Sequence, residues 1–283
     1  MSKYWAGLIV LGLASATPAI AGGQADAKGF VEDSTLDVLL RNAYISRDYK
    51  QGRQDKAEWG QGVIANFASG FTQGTVGFGV DAFAAYALRL DGGRGKAGAG
   101  GIDFFYQDPT TREVERDVAK FGASLKARLS NTVLAYGDLR PNLPVLSHDS
   151  SRLLPESFTG TMLTSSEIEG LEFTAGTFHA QSRKSDEGRD SGGLKGIDVI
   201  GASYKFNDAI SAALYASDVD NVVRTNAYER QYANLNYVMP IASNSLTFDF
   251  NGYRPKQDAH FQPGKSRIWS LASTYATGPH AFI

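Results

Sequence analysis

A chain of 283 residues with no cysteine and a formal net charge of −2 excludes several classes of protein. Without cysteine there can be no disulfide-stabilised fold, no thiol catalysis and no cysteine metal site. The near-balanced charge, with no basic run, argues against nucleic acid as a partner. The 31 glycines, 16 phenylalanines and 13 tyrosines favour twisted β-sheet with interfacial aromatic residues over a helix bundle.

Residues 1–21 have the order of a secretory signal peptide. Lys3 supplies a positive charge, Tyr4–Leu13 forms an apolar core, and small residues end the segment at Ala19–Ala21, where signal peptidase requires them. The apolar core is well short of the roughly 20 residues that a membrane-spanning helix needs. We therefore expect cleavage after Ala21 and a mature chain of residues 22–283.

The mature chain alternates apolar and polar residues at period two, which is typical of strands. In the clearest segment one face carries apolar side chains and the other small or charged ones: Phe121, Ala123, Leu125, Ala127 and Leu129 against Gly122, Ser124, Lys126 and Arg128. The pattern predicts about twelve strands, near 35–48, 58–72, 76–90, 121–129, 132–140, 157–166, 171–183, 197–206, 210–217, 230–237, 246–251 and 268–275.

The connections between these segments alternate in length. Short turns near 71–75, 129–132 and 206–209 contrast with long polar connections at 91–117, 182–195 and 254–266. Short turns at one end and long loops at the other are the arrangement of an outer-membrane barrel. We predict an all-β fold, a transmembrane antiparallel β-barrel; the alternative is a β-sandwich or β-helix secreted to the periplasm.

Several long motifs resemble one family, the OprD-type substrate-specific outer-membrane porins of pseudomonads and their relatives. The motifs that carry the resemblance are Phe30–Ser34 followed by Leu39–Asn42, Ser69–Ala82, Tyr136–Pro141, Leu143–Leu146 and Asp149–Pro155. The resemblance implies a monomeric channel of about eighteen strands, narrowed by an inward-folded loop near 141–156. It also implies uptake of small carboxylate-bearing solutes along a ladder of basic side chains, with an acidic patch opposite.

The length of the chain departs from the family. Eighteen strands need roughly 400 residues, so we expect residues 22–283 to be a partial barrel of about twelve strands. The sequence ends shortly after a turn at Gly278–His280 and lacks the terminal aromatic strand that outer-membrane assembly machinery reads. We therefore expect a fragment that does not form a working pore by itself, since open strand edges are costly in lipid.

Charged residues on the lumen face are the candidates for solute selection. Lys126 and Arg128 are the first choice, and Arg41 and Arg230 would extend the ladder; the alternative is ordinary solvated lumen charge. Asp81 is expected to pair with a lumen arginine. The constriction loop would contribute the following residues, as solute ligands or as a structural clamp: Asp149, Ser150, Ser151 and Arg152.

The expected function is passive, substrate-selective uptake of amino acids or of aromatic or other organic acids across the outer membrane of a Gram-negative cell. The partners would be outer-membrane lipid, the solutes and the assembly machinery, with no cofactor. The four histidines are scattered and form no metal motif, so an enzyme is not expected; a hydrolase using Ser147 and His148 is the weakest alternative. The rival function is that of a non-transporting secreted or surface β-protein.

Overall fold

The computed structural model describes residues 23–50, 52, 54–97, 102–221, 227–258 and 264–282. The predicted signal peptide, residues 1–21, lies outside these ranges. None of the described residues belongs to a helix long and apolar enough to span a membrane.

The described chain consists of strands and one short 3-10 helix at Gln24–Asp26. The strands are β1 (Thr35–Arg47), β2 (Lys56–Ala68), β3 (Val76–Asp91), β4 (Asp117–Leu129), β5 (Thr132–Leu139), β6 (Asn142–Leu143), β7 (Leu146–Ser147), β8 (Ser157–Ser165), β9 (Leu171–Ser182), β10 (Leu194–Lys205), β11 (Ile210–Asn221), β12 (Ala227–Ile241), β13 (Asn244–Asp258), β14 (Gly264–Lys265), β15 (Ile268–Thr277) and β16 (His280–Phe282). Twelve of these contain eight residues or more, which confirms the predicted number of strands.

The long strands form one antiparallel sheet in which each strand pairs with the next along the chain. The order is β1-β2-β3-β4-β5-β8-β9-β10-β11-β12-β13-β15-β16, β14 pairs with β13, and β6 and β7 form a separate hairpin within the connection from β5 to β8. Among the described residues, β1 and β16 stand at the two ends of this order and do not pair with each other. The sheet is therefore an open meander, as expected for part of a barrel wall.

The two faces of the sheet have opposite chemistry, and the apolar one is exposed. Phe121 and Leu125 of β4 are 89% and 64% exposed, whereas Lys120 and Arg128 of the same strand are only 5% and 8% exposed. A soluble sandwich would bury its apolar face, so this pattern fits a wall whose outer face meets hydrocarbon. Several large aromatic residues of the wall, of the kind found at membrane interfaces, are exposed as well: Trp59, Tyr86, Tyr237, Trp269 and Tyr275.

The buried apolar residues lie on the other face, which we call the inner face, where two long connections pack against the strands. In one cluster Phe104 and Phe105 of connection 92–116 and Leu153 and Leu154 of connection 140–156 join the wall residues Ile64, Ala85, Ala87 and Val118. In the second cluster Val145 and Leu146 join Phe158, Phe178, Ile197, Val199, Tyr215 and Val219. The segment 140–156 is therefore held against the wall from both of its halves.

Candidate functional site

Arg41 projects from the inner face of β1 onto connection 140–156. Its Nη1 donates to the carbonyl oxygens of Ser150 at 2.9 Å and Arg152 at 2.7 Å, and its Nη2 donates to Ser150 Oγ at 2.9 Å. Three hydrogen bonds from one guanidinium fix the backbone of the predicted constriction loop. In this geometry Arg41 acts first as a clamp for the loop.

The residues predicted within that loop also point to neighbouring segments. Asp149 forms an ion pair with Lys184 at 2.5 Å, and its Oδ1 accepts a hydrogen bond from the Ser151 backbone N–H at 2.7 Å. Burial opposes ionisation of Asp149, but the hydrogen bonds from Lys184 and Ser151 outweigh it and lower the pKa of Asp149 well below its usual range. Arg152 Nε donates to the carbonyl oxygen of Ile102 at 2.6 Å, so the loop is tied to two other connections.

Lys120, which sequence reasoning missed, completes the attachment of the loop. It lies on the inner face of β4 and is 5% exposed. Its Nζ donates to the carbonyl oxygens of Pro155 at 2.9 Å, Arg183 at 2.7 Å and Ser182 at 3.4 Å. The strand predicted at 121–129 began one residue too late to include this lysine.

Arg230 reaches the first half of the same connection from β12. Its Nη1 donates to the carbonyl oxygen of Val145 at 3.3 Å, and the guanidinium lies 4.6 Å from the centroid of the Tyr228 ring. Ser217 Oγ donates to the same carbonyl at 3.3 Å. Cations from three separate wall strands, β1, β4 and β12, therefore bind carbonyl oxygens of residues 145–155.

Lys126 and Arg128 lie elsewhere, at the end of the sheet that carries the short turns. Lys126 Nζ donates to Asp81 at 2.5 Å and to the carbonyl oxygen of Ser69 at 2.8 Å. Arg128 Nε donates to Gln24 Oε1 at 3.0 Å, and both cations lie against the Phe71 ring, at 4.9 and 4.2 Å from its centroid. The structure does not bring these two residues together with the loop, and the partner of Asp81 is a lysine rather than the arginine expected.

Arg140 is the second residue that sequence reasoning missed, although it falls within the quoted motif Tyr136–Pro141. Its guanidinium carbon lies 3.8 Å from the centroid of the Phe83 ring, and its Nη1 donates to Asn66 Oδ1 at 2.6 Å. Within the described part of the chain, its Nε and Nη2 atoms are buried and have no hydrogen-bond partner. These two nitrogens form the side-on donor pair of a guanidinium, the pair that matches the two oxygens of a carboxylate.

The charge of Arg140 persists at neutral pH despite its position. Burial, and then the positive charge of Arg41, lower the pKa of Arg140 to about 10, while Asp37 opposes the shift. Buried donors without acceptors are rare in proteins and point to a functional role.

Comparison with known proteins shows which protein family has this architecture. The sequence model of the outer membrane porins of the OprD family matches residues 28–283. The chain belongs to the OprD family. Membership places it in the outer membrane of a Gram-negative cell, with the apolar face of the sheet toward lipid and the inner face, with its two packed connections, toward the lumen. The resemblance seen in the motifs and the predicted transmembrane fold are both confirmed.

Individual relatives in the OprD family agree with this assignment. Porin D of Pseudomonas aeruginosa is 41% identical over 276 residues, which cover 93% of this chain and 60% of that protein. The crystal structure of Acinetobacter baumannii OccAB1 matches with a TM-score of 0.82 at 36% identity, covering 92% of this chain and 66% of that one. Pseudomonas aeruginosa OpdK, crystallised with vanillate, matches with a TM-score of 0.76 at 28% identity, covering 89% and 66%. The chain thus spans about 60% of the length of its curated relative.

Proposed function

We propose that the protein carrying this chain is a passive channel for small carboxylate-bearing solutes. The observation that carries the proposal is the group of inner-face arginines beside connection 140–156: Arg41 and Arg230, which bind its carbonyl oxygens, and Arg140, whose buried Nε and Nη2 have no partner among the described residues. A carboxylate is the planar anion that satisfies both donors at once. Vanillate, present in the OpdK crystal, carries such a group, which supports this solute class.

Connection 140–156 is proposed to be the constriction of this channel. Its backbone is hydrogen-bonded to Arg41, Lys120 and Arg230, so the loop narrows the lumen at a fixed distance from the wall. Two of the predicted ladder residues, Arg41 and Arg230, would therefore act both as clamps and as positive charges beside the passage. A low-dielectric wall focuses the field of such charges on an approaching anion.

The remaining ladder candidates, Lys126 and Arg128, would act at the mouth of the channel on the side where the short turns lie. Arg128 donates to Gln24, and Lys126 pairs with Asp81. We propose that both cations attract anions at that end. The carboxylate of a solute would then pass between the cations beside connection 140–156 and those at the end with the short turns.

Two further proposals concern the export of the chain and its insertion in the outer membrane. We propose that residues 1–21 are removed after Ala21 and that the assembly machinery of the outer membrane inserts the barrel as a monomeric channel. The N-terminal residue of the outer-membrane form, read by Edman degradation, tests the cleavage. A first residue other than Gly22 would contradict it.

Replacement of Arg140 tests the proposed function. The protein carrying this chain is purified and reconstituted in planar bilayers, and the permeability ratio of benzoate to chloride is measured for the unchanged protein and for Arg140→Ala and Arg140→Lys. Lysine keeps the charge but lacks the planar donor pair. We expect both variants to lose the preference for benzoate, whereas an unchanged ratio in both would refute the proposal.

A further inference from the structure

The edge of the wall has a step between β4 and β5, at the end of the sheet that carries the long connections. β4 pairs with β3 along its whole length, but it pairs with β5 only over Ser124–Leu129. β5 ends at Leu139, where the chain turns inward into connection 140–156 and returns to the sheet only as β8. Among the described residues, the second edge of β4 at 117–123 therefore has no strand partner.

An open edge of this kind needs a cover. Unpaired backbone N–H and C=O groups are costly where lipid is the surrounding medium, and in water they can pair with the edge of another chain. Phe121, within this edge, is 89% exposed on the apolar face, so the edge lies beside the surface that faces lipid. β5 cannot supply the cover, because its chain continues inward.

The connection between β9 and β10, residues 183–193, lies against this edge. Glu187 Oε1 accepts a hydrogen bond from the backbone N–H of Ala119 at 2.9 Å. The neighbouring Lys120 donates from Nζ to the carbonyl oxygens of Ser182 at 3.4 Å and Arg183 at 2.7 Å, at the start of the connection. A backbone donor of the open edge and a side chain of β4 thus both bind this connection.

Connection 183–193 is also attached on the far side of the step. Arg189 Nε donates to Asp138 Oδ1 of β5 and to Thr159 Oγ1 of β8, both at 3.0 Å. The backbone N–H of Gly192 donates to the carbonyl oxygen of Gln181 in β9 at 2.8 Å. The connection therefore reaches from β4 to β9 past the ends of β5 and β8.

We propose that connection 183–193 is a lateral cover of the barrel wall. It takes the place beside β4 that β5 leaves when its chain turns inward, and it separates the lumen from the lipid at the step. Lys184 of the connection pairs with Asp149 of connection 140–156 at 2.5 Å, so the cover and the inward-folded segment are held together. The inference does not depend on which solute passes through the channel.

Hydrogen–deuterium exchange tests the proposal on the purified protein that carries this chain, in detergent micelles. The exchange rate of the Ala119 amide is resolved by fragmentation of its peptide in the mass spectrometer. Glu187→Ala removes the acceptor of this amide, and Arg189→Ala removes only the attachment on the far side of the step. Lys195→Ala is the matched control, because Lys195 follows the connection and pairs with Asp220 at an exposed position. Heat-modifiable migration in gels shows that each variant has formed its barrel.

We expect the Ala119 amide to exchange roughly tenfold faster in Glu187→Ala and about two- to fivefold faster in Arg189→Ala, with no change in Lys195→Ala. Glu187→Gln keeps an acceptor oxygen and should retain most of the protection; it replaces Glu187→Ala if that variant does not form a barrel, and it should then exchange no faster than the control. An Ala119 rate in Arg189→Ala equal to that of the control would show that the connection does not span the step as a unit, and would overturn the proposal. An unchanged rate in Glu187→Ala would overturn it as well.

Discussion

The Nζ atom of Lys120 lies 2.9 Å from the carbonyl oxygen of Pro155 and 2.7 Å from that of Arg183. With Ser182 at 3.4 Å, the three acceptors match the three N–H donors of an ammonium group. A lysine that is almost fully buried thus joins two connections to one wall strand. Its removal leaves backbone carbonyls without a donor in a region shielded from water.

Lys120→Met should destabilise the barrel. The substitution keeps most of the side-chain volume but leaves the carbonyl acceptors unpaired, which costs about 2–3 kcal/mol. The free energy of unfolding is measured by urea titration of the protein in detergent micelles. Lys205→Met is the control, because Lys205 pairs with Asp208 on an exposed turn and such pairs contribute less than about 1 kcal/mol. Equal losses for the two variants would contradict the role assigned to Lys120.

Arg41→Ala should free the proposed constriction loop at residues 150–152. Three hydrogen bonds are lost, so we expect larger current fluctuations in single-channel recordings and faster cleavage after Arg152 by trypsin. Arg47→Ala removes an exposed arginine at the end of the same strand and serves as the control. Identical current noise in the two variants would show that Arg41 does not hold the loop.

The Asp149–Lys184 pair should resist mild acid. The pKa of Asp149 is lowered in the folded protein, so the stability that the pair contributes is present above the usual carboxyl range and is lost only as the pH falls through the lowered pKa. We expect channel conductance to be steady from neutral pH down to about pH 4. Asp149→Asn should instead show altered loop behaviour at every pH. A transition of the unchanged protein near pH 5 that Asp149→Asn abolishes would overturn this assignment.

Asp81→Asn should raise anion selectivity, and Lys126→Ala should lower it. The first change leaves the charge of Lys126 without its counter-ion, and the second leaves Asp81 without its partner. The reversal potential in a KCl gradient should therefore move in opposite directions in the two variants. Asp208→Asn makes the same charge change on an exposed turn and should shift the potential less than Asp81→Asn does. Shifts of the same sign for Asp81→Asn and Lys126→Ala would disprove the pairing.

Leu125→Arg should hinder insertion of the barrel. Leu125 is 64% exposed on the apolar face of β4, where an arginine costs about 2–4 kcal/mol near the bilayer midplane. The yield of heat-modifiable protein in outer membranes measures the effect. Leu125→Val, which stays apolar, should insert normally, and an equal yield of the arginine variant would argue against a lipid-facing position.

The strands were predictable where one face meets lipid and the other the lumen. Alternation located β3 and β4 and assigned the two faces of β4 correctly, because hydrocarbon and water impose opposite requirements on successive side chains. The prediction for β13 stopped at residue 251, whereas the strand continues to Asp258. The added residues, which include Arg254, Pro255 and Lys256, show no alternation, and only the pairing with β12 makes them a strand.

The partners of the charged residues could not be predicted in the same way. Lys120 meets carbonyls 35 and 63 residues away along the chain, and Arg140 meets an asparagine 74 residues away. No local pattern encodes such contacts, because they depend on how the long connections fold over the wall. Asp81 was correctly expected to pair with a lumen cation, since opposite charges two residues apart on adjacent strands are within reach, but the identity of the cation was wrong.

The hydrogen bonds from Arg41, Lys120 and Arg230 to the connection 140–156 all end on neutral acceptors, namely backbone carbonyl oxygens and the hydroxyl of Ser150. An ammonium or guanidinium bound in this way is immobilised without being neutralised, so in the proposed channel the same atoms that hold the loop would also keep the passage electropositive. Mechanical width and electrostatic preference are therefore inseparable at these three positions. In the proposed channel, solute preference could be altered without loosening the loop only by substitutions at other residues.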